Sequence, residues 1–389
     1  MSLIDLWKRS RSELEGKHVQ QIIAIAGSGK LLDAGDASRE FREFLSSIPS
    51  SLLSRYTGEC LADKFESGGL ALQDIVNQIG RRLGFQVEDG RYRGGSGQSG
   101  HDGLWRSSFG NEIIVEVKTT DAYRIALDAI AEYRRRLIQE NRIVEGKSSV
   151  LIVVGRQDTG DLEAQIRGSR HAWNIRLVSI DALIRLMSLK ETVEDPQMLR
   201  KIAGVLVPQE FTKVDGIIDL VFSAAEEIRQ DAEDAELQED QPRKKDKKAP
   251  QFIPVDFHAA CIRRIERQLG LALLKQTRAT YSTPEDSLVV VCAVSRTHTR
   301  EMYWYAFHPH QKEKLEAAGK GYVAYGCGSE DIVLLIPFKD FAAWLDGMWT
   351  TQLEDRFYWH VSIRHQGSKL ILRRRRGFGE IDLTKYLVR

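Results

Sequence analysis

Three residues in the first half of the chain have the types and spacing for metal-assisted hydrolysis: Asp102, Glu116 and Lys118. Glu116 and Lys118 sit in Ile113–Ile114–Val115–Glu116–Val117–Lys118, an apolar run holding a carboxylate and an amine at alternate positions. Strand side chains alternate between faces, so Glu116 and Lys118 point one way and Val115 and Val117 the other. Asp102 ends a glycine-rich stretch, Gly94–Gly95–Ser96–Gly97–Gln98–Ser99–Gly100–His101–Asp102–Gly103. Those glycines let the chain turn tightly enough to bring Asp102 against the strand. Phosphodiester hydrolysis needs a nucleophilic water and neutralised phosphate charge, and a divalent cation between carboxylates supplies both. Mg²⁺ prefers hard oxygen ligands and keeps several waters, so a small protein donor set suffices. Asp102 and Glu116 are the expected ligands, with the Val117 carbonyl a third and Mn²⁺ an acceptable substitute. Lys118 belongs beside the attacking water, where its charge offsets that of the transition state. Gln73, on the preceding helix, can reach the same place as a further oxygen donor. A lone Glu-x-Lys is commonly a solvated ion pair. Here it interrupts an apolar run, where unpaired charge is costly, and such groups cluster at functional sites.

The surrounding pattern predicts the elements that hold these residues. Residues 1–60 read as amphipathic helices, for example Phe41, Phe44, Leu45 and Ile48 at helical spacing. Within them, Gly27-Ser28-Gly29-Lys30 resembles part of a phosphate loop. That loop needs a glycine at Ala24 and a hydroxyl at Leu31, so a helix end with a left-handed glycine is expected instead. A helix over Leu70–Leu83, ended by Gly84, buries Leu72, Ile75, Val76, Ile79 and Leu83. A strand starts at Phe85–Val87; after the glycine-rich turn comes a second over Glu112–Lys118. A helix over Asp121–Gln139, a buried strand Ser149–Val154, a helix Leu162–His171, a strand Arg176–Ile180 and a helix Ala182–Leu189 follow. That order indicates an α/β sandwich with a mixed central sheet flanked by helices.

At this point the motifs resemble those of a known family. Asp102 followed by Glu116-Val117-Lys118 resembles the PD-(D/E)xK nuclease signature. Leu83-Gly84-Phe85, then Ser96-Gly97-Gln98-Ser99-Gly100-His101-Asp102-Gly103, resembles more narrowly the Mrr-type restriction endonuclease branch, over residues 65–190. Three positions depart from it: Gln73 stands where that helix carries glutamate, Glu116 where the branch often has glutamine, and His101 where an apolar residue is common. The resemblance implies a restriction-endonuclease-like core and a Mg²⁺-dependent DNA endonuclease that serves defence against foreign DNA. Double-strand cleavage implies two active sites, hence a homodimer or larger homo-oligomer, with the Asp121–Gln139 helix as a candidate interface. The alternative is a DNA-binding or sensor subunit of a multi-protein defence system, with a site that is inactive or switched on by partner proteins. On the later helix, Gln165, Arg167 and Arg170 are candidates for DNA phosphates, although a solvated helix face explains them equally.

The 389 residues suit two domains, and 42% hydrophobic with 29% charged residues is globular composition. Net charge is +1, but residues 251–389 hold 20 Lys+Arg against 15 Asp+Glu, a mild basic bias. Four scattered cysteines without a CxxC pair, no apolar span and no signal core point to a cytoplasmic protein without a membrane partner. The expected division is a helical extension at 1–64, a nuclease domain at 65–228, a linker at 229–250 and an α+β recognition or partner-binding domain at 251–389. A helix is expected over Val214–Arg229. The linker joins an acidic block (231–240) to a lysine-rich one and has too little apolar surface to bury. The last domain reads as helix, then mainly antiparallel strands, with helices at Gln311–Ala318 and Phe338–Met348. Its aromatics, Tyr303-Trp304-Tyr305 among them, fit a core or the stacking of an unpaired base. Arg373, Arg374, Arg375 and Arg376, if a strand, put a pair on each face, so one pair is available to phosphate.

Overall fold

The computed structural model describes residues 2–62, 65–92, 100–119, 125–155, 160–207, 255–295, 302–352 and 357–388. Most of the glycine-rich turn (93–99), the start of the helix expected at Asp121, the helix expected over Val214–Arg229 and the linker at 229–250 lie outside them. The chain divides into two compact units, 1–230 and 231–389. Both combine helices with sheets: the sheet of the first unit is mixed, and the second unit has one mixed and one antiparallel sheet. Among the described residues no helix is long and apolar enough to cross a membrane.

The first unit begins with α1 (Leu3–Arg9), α2 (Arg11–Glu15), α3 (Val19–Ile25), α4 (Asp36–Ser47) and α5 (Ser50–Ala62), then α6 (Gly68–Leu83). As expected, α3 is followed by glycines in the left-handed region, Gly27 at φ +44° and Gly29 at φ +73°. Gly84 at φ +99° ends α6. Next come β1 (Gln86–Asp89), β2 (Gly103–Arg106), β3 (Glu112–Lys118), α7 (Leu127–Gln139), β4 (Ser148–Val154), α8 (Gly160–Arg167), β5 (Ile175–Ser179), α9 (Ile180–Lys190) and α10 (Pro196–Gly204). The sheet runs β1-β2-β3-β4-β5. Its first two pairings are antiparallel and its last two parallel. β2, four residues long, carries no readable alternation and was not expected.

Strand parity on β3 divides the core as the sequence predicts. Ile113 and Val115 join Phe41, Phe44, Leu72, Ile75 and Ile79 on one face. Ile114 joins Leu127, Ile130, Leu137 and Leu162 on the other. The α6 helix is apolar on more than one side and is correspondingly enclosed, by α4 and α5, by α9 and by the sheet. Gly80 lets it approach β2: a Cβ there would meet the Trp105 ring at 2.5 Å.

The second unit starts with α11 (Val255–Leu269), then β6 (Leu274–Lys275), β7 (Thr280–Ser282), β8 (Leu288–Ser295), β9 (Met302–Phe307), α12 (Pro309–Ala317), β10 (Lys320–Cys327) and β11 (Val333–Pro337). It ends with α13 (Phe338–Ala342), β12 (Trp349–Gln352), β13 (Phe357–Gln366), β14 (Lys369–Arg373) and β15 (Ile381–Asp382). One sheet runs β11-β10-β8-β7-β6; the other runs β12-β13-β14-β15, with β9 also on β13. Pairings are antiparallel as expected, except that β10 lies parallel to β8. The expected Phe338–Met348 helix is broken into α13 and a 3₁₀ turn at Leu345–Gly347. The arginine run is not a strand: β14 stops at Arg373 and the chain turns.

Candidate active site

Asp102, Glu116 and Lys118 are brought together as their spacing predicts. The β2–β3 ladder pairs Gly103 with Val115, so one step further Asp102 is level with Glu116, where opposite side chains share a face. The Asp102 carboxylate accepts the Val117 amide at 2.7 Å, and its own amide donates to the Val115 carbonyl at 3.0 Å. Lys118 Nζ donates to Glu116 Oε1 at 2.6 Å. Glu116 is buried, and its Oε2 has no hydrogen-bond partner among the described residues. A buried carboxylate oxygen left over in this way is an acceptor awaiting a donor or a cation.

Gln73 reaches the site but does something other than expected. Its amide nitrogen donates to the Asp102 main-chain carbonyl at 3.1 Å, so it fixes the backbone of a ligand candidate. Asn77, one helical turn on, donates to the same carbonyl at 2.8 Å, and Gly90 N does so at 3.0 Å. The Asn77 oxygen accepts the Trp105 indole at 2.9 Å. Asp74, also buried, bonds Arg42 at 2.8 Å and the Tyr92 hydroxyl. Sequence reading missed Asn77, Asp74 and Gly90. The signal was present as the polar set Gln73, Asp74, Asn77 and Gln78, which on an amphipathic helix reads as a solvent face.

The electrostatics follow from burial. Asp102 is pushed up to about 7, first by loss of solvent and then by the Glu116 carboxylate. Asp74 rises to about 6 through burial, against the opposing pull of Arg42 and the Tyr92 hydroxyl. Burial alone would lower the Lys118 ammonium, but Glu116 outweighs it and the net shift is upward. Both aspartates therefore bind a proton more readily folded than unfolded, where carboxylates titrate near 4. Their contribution to stability is complete below about pH 4 and is lost as pH rises through 6 and 7. Asp102→Asn keeps an oxygen for the Val117 amide and removes the half-buried charge. Calorimetric scans in EDTA should place its thermal midpoint above wild type at pH 8, by about 2–4 °C per kcal/mol regained. The gap should close near pH 4.

The remaining candidates separate. Gln165 is committed to both backbone groups of Ile125, at 3.1 and 2.6 Å, and is a structural tie. Arg167 is exposed beside Glu163, and Arg170 bonds Asp128 at 2.9 Å. His101 lines a cavity with Glu88, Glu140 and Arg142, and burial with nearby Arg142 lowers its pKa. Of the arginine run, Arg374 bonds the Gly379 carbonyl at 3.1 Å and Arg375 the Asp346 carbonyl, while Arg376 is exposed.

Two carboxylates, one with an unsatisfied oxygen, fit a hard divalent cation. Among the described residues no group of three or more His, Cys, Asp or Glu converges, so any such ion would draw on main-chain carbonyls or water as well. No protein-family model matches this chain, and no curated protein matches it.

Proposed function

We propose that the first unit is a restriction-endonuclease-like hydrolase that cleaves DNA phosphodiesters with Mg²⁺ or Mn²⁺. The observation that carries this reading is the pairing of half-buried Asp102, at the head of β2, with buried Glu116 on β3, with Glu116 Oε2 unsatisfied and Lys118 at 2.6 Å from Oε1. Asp102 and Glu116 are the residues that would hold the ion, with the Val117 carbonyl as a candidate third donor. When bound, it would supply Lewis acidity and lower the pKa of a coordinated water.

The chain's own groups do the rest. Gln73, Asn77 and Gly90 hold the Asp102 backbone from three directions, so the carboxylate is placed before substrate arrives. Lys118 is about one-third exposed, so its ammonium can follow the phosphate while staying tethered to Glu116. Its raised pKa keeps it charged, as neutralising the developing phosphate charge requires. The order of elements, helix α6, an antiparallel hairpin, β3, then parallel strands, supports the same reading.

Calorimetric titration separates this reading from a sensor with an inactive site. Mn²⁺ should bind wild type, and Glu116→Gln should lose that binding. No binding by wild type would favour the sensor.

A further inference from the structure

The sheet built from β9, β12, β13, β14 and β15 has two unlike faces. Tyr305, Phe307, Val361, Ile363 and Leu372 point into the core. The other face carries Trp304, Tyr358, His360, Arg364, Arg373 and Trp349. Register places these in neighbouring lanes: Ser362 pairs with both Trp304 and Arg373, and His360 pairs with Trp349. Tyr358, His360, Ser362 and Arg364 alternate along β13 and so share that side.

The rings form one set. Trp304 meets Tyr358 at 6.0 Å and His360 at 5.5 Å between centroids, and Tyr358 meets His360 at 5.1 Å. The Arg373 guanidinium lies 5.9 Å from the Trp349 ring centre. The Trp304 indole donates to His360 Nδ1 at 3.0 Å, and an indole nitrogen can only donate. Nδ1 therefore carries no proton, and Nε2 donates to Thr351 Oγ1 at 2.7 Å. Trp304 and His360 are thus held in orientation by the protein's own hydrogen bonds.

Tyr358 is buried and Trp304 and His360 are half-buried, so a ligand reaches the set from its more open side at Trp349 and the arginines. Trp349 is 38% exposed, and the Arg364 and Arg373 side chains are 35% and 42% exposed. Between residues 364 and 382 there are six Lys+Arg against two Asp+Glu. The acids are engaged: Glu380 with Arg364 at 3.1 Å and Arg373 at 4.0 Å, and Asp382 with Lys369 at 3.4 Å.

We propose that this face binds single-stranded nucleic acid, with bases stacked on Trp349 and Trp304 and phosphates against Arg364 and Arg373. Trp304 stands edge-to-face with Tyr358 and His360, at 85° and 71°. Tryptophan rings fixed on a strand face suit unpaired bases, each of which has a π-face to offer, and the local positive charge suits the backbone between them. A duplex hides those faces in its stack and presents only base edges in its grooves. The proposal lies in the second unit and does not rest on the hydrolytic reading of the first.

The test is fluorescence anisotropy with the full chain in EDTA, which removes cleavage from the readout. The probes are labelled oligo(dT) and oligo(U) of about 16 nucleotides, a length within the usual site sizes, and a duplex of the same length. Either single strand should bind more tightly than the duplex and quench tryptophan emission. Trp349→Ala, on a short edge strand, should weaken binding about tenfold, in line with one lost stack. Arg373→Gln should weaken it and lower the salt dependence by about one phosphate contact. Duplex binding weakened by both variants as much as single-strand binding is, no single-strand binding by wild type, or both variants binding single strands as wild type does would overturn the proposal. Because no metal is present, that failure leaves the hydrolytic site standing, and loss of cleavage leaves this result standing.

Discussion

Lys118→Ala should lower the Mg²⁺-dependent rate of DNA cleavage about a hundred- to a thousandfold, the usual cost of removing one preorganised charge partner of a transition state. Metal binding should survive the change, because Lys118 contributes no oxygen and its removal frees Glu116 Oε1 as well as Oε2. Folding should survive too, since the lysine is about one-third exposed and its Nζ meets only Glu116 among the bonds described. Single-turnover rates beside a Mn²⁺ titration check both halves. Cleavage at the wild-type rate would remove Lys118 from the site. Loss of metal binding together with loss of rate would make its role structural.

Gly90→Ala should be among the most disruptive small substitutions in the first unit. A Cβ at Gly90 would lie 2.1 Å from the His101 carbonyl oxygen and 2.5 Å from the Asp102 carbonyl carbon. Both obstacles are main-chain atoms on the segment that carries the proposed ligand. Relief requires β1 and the Asp102 turn to part, which breaks the Gly90 N bond to the Asp102 carbonyl. Overpacking of this kind costs about 3 kcal/mol. In a unit of this size that lowers the thermal midpoint by roughly 6–12 °C. Cleavage should fall further than stability explains, because Asp102 is displaced. Gly58→Ala is the control: it lies within α5 with nothing within 4 Å of the added methyl. There alanine should be neutral or stabilise by about 0.5–1 kcal/mol. A midpoint for Gly90→Ala as high as that control's would contradict the close approach.

The contrast between these two sites shows what the sequence made legible. Glu116 and Lys118 stood out because charge in an apolar run is conspicuous, and the two-residue period gave their shared face directly. Asp102 was readable from the turn that carries it. Gln73 and Asn77 were harder: on a helix, polar residues at such spacing ordinarily mark the wet side. Only the packing of α6 under β2 shows that their amides hold a main-chain carbonyl. Gly90 carried no signal, because its need for a hydrogen side chain comes from a segment eleven residues on. Several long periodic elements, α6, β3, β4 and α9 among them, were found within a residue or two. The helix expected from Asp121 begins at Leu127, however, the one expected to reach His171 stops at Arg167, and α10 was missed. The strands missed, β2, β6, β7, β12 and β15, have between two and four residues, too few to establish a period. The arginine run misled for a related reason. Four like residues have no alternation to read, and Gly347 and Gly379, which shape the turn, are remote from the pattern or outside it.

The central claim is that Asp102 and Glu116 serve hydrolysis of DNA. The most direct test incubates closed-circular plasmid and phage DNA with wild type and with Asp102→Ala, in Mg²⁺ and in EDTA. The account predicts nicked or linear product from wild type in Mg²⁺ alone. Equal cutting by both proteins, or no cutting of any substrate by wild type, would contradict it.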